Sequence, residues 1–207
     1  VAESDNYYGP IVKTFFGLHF GNYAGNFGRW VYFSLGMLGA FLFYSGNLLW
    51  LEKRRQKQAQ QTRSSKFMAS LTIGVCLGSI LGVVGAIVLT KWFYLITDKV
   101  NDYYLATYYV AFFSAIAYSF VRGAAIAAIH LQRLLALVCI AIPVTSVLGY
   151  LVPSLNLWTT LNGATKTVDL IAIVFAIIFF KGAQKTKHRA IFGEQNSIWK
   201  ISTAPKN

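Results

Sequence analysis

The chain has three histidines, and two stand where an imidazole could do chemistry. His19 lies at the edge of an apolar stretch, in Leu18-His19-Phe20-Gly21, and His130 lies inside AAIAAIHLQRLLAL. An ionisable group at such a place is a candidate for function, and neutral imidazole is a good ligand for haem iron. Gly21, Gly25 and Gly28 leave little side-chain bulk around His19, which would let a flat macrocycle approach the backbone. On residue chemistry, His19 is either such a ligand or an interfacial histidine bonded to a carbonyl. His130 is either a ligand or a histidine reaching to headgroups, beside Gln132 and Arg133. His188, among Lys185, Lys187 and Arg189, reads as a solvated residue of a basic tail.

Other chemistry is poorly provided for. There is no P-loop, no G-x-G-x-x-G after a strand, no G-x-S-x-G and no H-E-x-x-H. Seven acidic residues, most in loops, form no carboxylate pair and no cage for a hard cation. Cys76 and Cys139 both sit in apolar runs and read as small packing residues. Nothing spells C-x-x-C-H, which excludes covalent c-type haem attachment.

The elements that must position these histidines are set by hydropathy. The chain is 56% hydrophobic and 13% charged, against about a quarter charged in a soluble protein. Its charges cluster between long apolar runs. The fold class is therefore all-α, a polytopic membrane bundle of about five transmembrane helices. Residues 1–27 form a periplasmic or interfacial lead-in, with a short helix starting near Pro10 and with Tyr7, Tyr8, Phe15 and Phe16 in the headgroup layer. Residues 28–66 hold the first span and a basic loop, 67–181 a four-helix extension, and 182–207 a basic tail expected to be partly disordered. In the second span, Gly74, Gly78 and Gly82 share one face, so a neighbouring helix can approach closely there. The connection after Arg122 is either a tight turn at Arg122-Gly123 or a longer interfacial segment. Pro143 should kink the fourth span, with Thr145 and Ser146 able to satisfy freed backbone groups. The fifth span is expected to be short, about 167–180.

Charge assigns the orientation. The net charge is +12, and fourteen of the nineteen Lys and Arg residues lie in 52–66, 122–133 and 181–207. With five spans these segments share one side, which the positive-inside rule makes cytoplasmic. The N-terminus is then outside and the C-terminus inside. The basic charge tracks membrane topology, and a nucleic-acid partner is not indicated.

One stretch carries a resemblance. Leu18-His19-x-Gly21-x-x-x-Gly25-x-x-Gly28-Arg29, then an apolar helix ending Ser45-Gly46-x-Leu48-Leu49-Trp50 and a basic stop, resembles the last helix of the PepSY-associated transmembrane family. It covers about residues 16–55. That family occurs among bacterial iron-regulated inner-membrane proteins, some of them ferric-siderophore reductases. The resemblance implies that His19 ligates a b-type haem on the outward side. Family members also carry an upstream span and a periplasmic PepSY module, so a missing N-terminal portion or other membrane subunits are expected partners beside the lipid bilayer.

About 30 Å of hydrocarbon would separate His19 from His130, so they cannot share one iron. One or two haems are therefore expected, and two, one per leaflet, would make an electron path. Arg29 and Arg133 would pair with haem propionates. The leading expectation is haem b-dependent electron transfer across a bacterial inner membrane, with a periplasmic ferric chelate in iron acquisition as a candidate acceptor. The alternative is a non-catalytic anchor or assembly subunit. A secondary transporter is weaker, since no internal repeat is visible.

Overall fold

The computed structural model describes residues 8–21, 24–58, 60–157, 159 and 162–201. Tyr7, expected in the headgroup layer, and the last residues of the tail lie outside that set. The chain divides into two compact units, Val1–Asn47 and Leu48–Asn207. All regular elements among the described residues are helical: α1 (Tyr8–His19), α2 (Gly25–Gln56), α3 (Arg63–Phe93), α4 (Val100–Arg122), α5 (Ala124–Leu151), a 3-10 turn at Pro153–Leu155, and α6 (Gly163–Phe192). Helices α2 to α6 are each long and apolar enough to cross a membrane.

In the first unit, Pro10 falls in the first turn of α1, where its missing N–H costs nothing. The helix stops because Gly21 takes φ +63°, while Phe20 N–H and Gly21 N–H donate to the carbonyls of Phe16 and Leu18 at 2.9 and 3.2 Å. Gly25, at φ +57°, then opens α2. A non-glycine residue in the left-handed region costs about 1–2 kcal/mol. Gly28 is needed for a different reason. A Cβ there would come 3.1 Å from the Gly21 carbonyl oxygen.

The second unit is built on α3. Its glycine stripe lets the α4 backbone approach almost to contact. A Cβ on Gly74 would meet Ile116 Cα at 2.8 Å, one on Gly78 the Ala115 Cβ at 2.9 Å, and one on Gly82 the Tyr108 carbonyl oxygen at 2.9 Å. The stripe extends one turn earlier to Ser70, whose carbonyl accepts a 2.7 Å hydrogen bond from Ser119 Oγ on α4. Ser119 is fully buried. Gly85, on another side of α3, faces open space. Helix α5 packs against both α3 and α6.

Helices α4 and α5 are joined through Gly123 alone, at φ +77°. Of the two connections that the sequence allows, the tight turn is the one adopted. Helix α6 is longer than the expected 167–180. It runs from Gly163, capped by Asn162 Oδ1 accepting from Thr165 N–H, to Phe192. Lys181, Lys185, Lys187 and Arg189 end the apolar run but not the helix. Ala183 and Ala190 stay buried on the packed face, while long cationic side chains reach outward from the other.

The described segment after α6, residues 193–201, packs back onto the second unit. Ile198 and Trp199 are buried, and Ile198 N–H donates to Glu52 Oε2 at 3.0 Å. Glu52 is the one acid in the basic stretch 52–66, and it holds the C-terminal segment against the end of α2.

Gly78→Leu should lower unfolding stability by about 1–3 kcal/mol or more, because the inserted side chain has no space against α4. Gly85→Leu should be close to neutral. Thermal unfolding of both variants in one detergent checks the contrast.

Candidate functional site

In the first unit His19 is the last residue of α1, and its imidazole is exposed. The ring stacks on Phe15, one turn earlier, with centroids 6.2 Å apart and planes within 7°, and meets Phe20 edge-on at 5.1 Å. Phe15 thus fixes one side of the ring. The turn built by Gly21, Gly25 and Gly28 comes directly after it. Those glycines, whose spacing suggests room for a macrocycle, are required by the backbone of the turn itself. Arg29 is exposed in the first turns of α2.

In the second unit His130 lies two turns into α5, exposed on the bundle, with its Nδ1 hydrogen-bonded to the hydroxyl of Tyr118 on α4. The tight turn at Gly123 brings these two side chains together across twelve residues. When Nδ1–H donates to the phenol oxygen, Nε2 keeps a free lone pair and a fixed direction, as metal-binding histidines commonly do. Arg133 is one helical turn further along α5 and is also exposed. Tyr118 carries no mark of its own in the sequence. Only the sharp turn at Gly123, one of two connections compatible with the pattern, points to it.

These donors fit one axial position at each histidine. Among the described residues there is no group of three or more His, Cys, Asp and Glu side chains able to hold a bare metal ion.

A second polar constellation escapes the sequence reading. Lys91, near the end of α3, is 9% exposed. Its Nζ donates to Ser146 Oγ at 2.7 Å and to the Ile142 carbonyl at 3.2 Å, both on α5. Ser146 Oγ lies 2.9 Å from Asp169 Oδ1 on α6. The serine has a single proton, so it accepts from the ammonium and donates to the carboxylate. A lysine and an aspartate on different helices are joined through one hydroxyl. The Ile142 carbonyl, just before Pro143, also accepts from Thr145 Oγ1 at 2.8 Å. Thr145 thus turns back on the Ile142 carbonyl, whereas the carbonyl that Pro143 leaves without its helical N–H is that of Cys139, four residues earlier. A groove of about 360 Å³ borders the cluster, lined in part by Ser146, Tyr150, Thr165, Lys166 and Asp169. In the sequence Lys91 is a lone cation beside the aromatic Trp92 and Phe93, and Asp169 resembles one more loop acid. Their pairing depends on how α3, α5 and α6 meet, which no spacing in the sequence encodes.

At the other end of α5 and α6, Thr186 Oγ1 donates to Gln132 Oε1 at 3.3 Å, and a Cβ on Gly182 would lie 3.5 Å from the same oxygen. Polar side chains therefore pin α6 to α5 at both ends.

Five apolar helices of this length, with polar groups paired across helices inside the bundle, define a multi-pass membrane protein. Residues 1–53 match the family model of the PepSY-associated TM region. The N-terminal quarter of the chain is thus a PepSY-associated transmembrane segment, the family that the His19 motif indicates. No curated protein and no solved structure matches the chain.

Asp169→Ala leaves the Lys91 ammonium without its counter-charge. Breaking a fully buried pair costs about 3–5 kcal/mol. Because Asp169 is only half-buried, a loss of about 1–3 kcal/mol is expected after discounting for solvent screening. Lys91→Met combined with Asp169→Leu should recover most of it. Unfolding of the single and double variants in detergent tests this, and equal losses in both would refute the pairing.

Proposed function

We propose that this protein is a haem b-dependent electron-transfer protein of the bacterial inner membrane. The observation that carries the reading is His19, within the matched PepSY-associated segment, standing exposed at the end of α1. Bound haem would supply reversible one-electron chemistry at its iron. His19 provides one axial nitrogen, held in direction by Phe15, and Arg29 is a cation of the same unit that would pair with a propionate. His130 provides a second such nitrogen, oriented by Tyr118, with Arg133 one turn away for a propionate. With the N-terminus outside and the C-terminus cytoplasmic, as the positive-inside rule assigns them, His19 serves the outer leaflet and His130 the inner. Electrons would pass outward, and a periplasmic ferric chelate in iron acquisition is the acceptor this reading favours. Remaining axial ligands come from a further subunit or from an N-terminal portion bearing a periplasmic module.

One observation favours a second reading, a non-catalytic anchor or assembly subunit. Within the first unit, Gly36, Gly39 and Gly46 on α2 meet no heavy atom within 4 Å of where a Cβ would stand. Small residues on a membrane helix suit the close approach of a neighbouring helix.

Oxidised and reduced spectra of the purified protein, with a pyridine haemochrome assay, separate the two. The redox reading expects a Soret band, split α/β bands on reduction, and loss of haem in His19→Ala. A colourless wild-type protein sinks it. Partner co-purification that persists when His19 and His130 are both alanine selects the anchor.

A further inference from the structure

A pocket of about 450 Å³ lies where α3 begins and α4 ends, closed on one side by the C-terminal segment. Lys66, near the start of α3, Arg122, the last residue of α4, and Lys200 of the C-terminal segment all line it. No described acidic residue does. Toward the spans the lining becomes apolar. Phe67 and Phe120 meet there with ring centroids 5.2 Å apart, and buried Ile198 forms part of the wall. Lys66 and Arg122 are exposed, so their charge is open to a ligand. Lys200 Nζ also donates to the Ile191 carbonyl at 2.9 Å, which fixes its position.

Three cations above an aromatic floor, at the ends of membrane-spanning helices, match one chemistry: a phosphate ester attached to a hydrocarbon chain. We infer that this pocket binds an anionic phospholipid, the phosphate among Lys66, Arg122 and Lys200 and an acyl chain along Phe67 and Phe120. Basic pockets between transmembrane helices bind such headgroups, and arginine adds a fork that grips phosphate oxygens in pairs. A free phosphate would satisfy the cations but leave the aromatic floor unused. The site depends on the Glu52 hydrogen bond, because that contact holds Ile198 and the neighbouring Lys200 in place.

Native mass spectrometry of the full chain in detergent tests the assignment, with phosphatidylglycerol, phosphatidylcholine and inorganic phosphate as probes. Phosphatidylglycerol should be retained in preference to phosphatidylcholine. Lys66→Gln and Arg122→Gln should each weaken its retention about fivefold, while Lys185→Gln, outside the pocket, should not. Thermal unfolding without lipid should be unchanged in the two pocket variants, which separates lost binding from lost folding. Equal retention of the two lipids, or undiminished phosphatidylglycerol binding in the double variant Lys66→Gln/Arg122→Gln, would overturn the inference. Protection by inorganic phosphate as strong as that by phosphatidylglycerol would overturn the lipid assignment in favour of a soluble phosphate.

Discussion

The near-contact of the α3 and α4 backbones governs the arrangement of the second unit. Inside a bilayer no hydrophobic force drives one apolar helix onto another, so association rests on packing and on hydrogen bonds between helices. Gly74, Gly78 and Gly82 provide the packing, and Ser119 to the Ser70 carbonyl provides the bond. With α4 seated, the turn at Gly123 has only one residue in which to reverse direction, and α5 must descend beside both helices. That placement sets Tyr118 against His130 and carries Ser146 to Lys91. A bulkier stripe on α3 would displace α4 and, through Gly123, both polar contacts of α5.

The glycines near His19 show how one pattern can serve two causes. Their spacing reads equally well as room for a macrocycle and as a backbone requirement. Gly21 and Gly25 take left-handed φ, and Gly28 leaves space for the Gly21 carbonyl. The backbone explanation is sufficient for the glycines, so their presence no longer weighs on the side of a cofactor. The weight falls on the imidazole alone. His19 stands exposed with one side against Phe15.

Most of the fold is legible in the sequence because its signals are local. Apolar runs mark the five spans, and four-residue glycine spacing marks the α3 face that packs on α4. The length of α6 is not legible, because a run of cations looks like the end of a helix, whereas alanines at 183 and 190 continue the packed face beneath them. The packed C-terminal segment is hidden for a related reason. Its anchor is Glu52, 146 residues away in sequence, and a lone acid in a basic loop carries no local mark of its partner. The Lys91–Ser146–Asp169 link is hidden by the same cause, since three helices must assemble before its members meet.

The two ends of the second unit treat charge in opposite ways, and the difference reflects what each has to neutralise. Lys91 is enclosed and reaches a carboxylate through Ser146, so its charge is balanced within the chain. Around Lys66 and Arg122 the pocket wall holds no described acid, and Glu52 spends an oxygen on the Ile198 N–H. A chain that balanced every cation internally would need more than its seven acids against nineteen Lys and Arg residues. The excess sits where helices end, within reach of water and headgroups, and there a membrane already offers phosphate at high density. Balancing the basic end with lipid leaves the few acids free for contacts that only protein can make: Asp169 for a buried lysine, and Glu52 for the C-terminal segment.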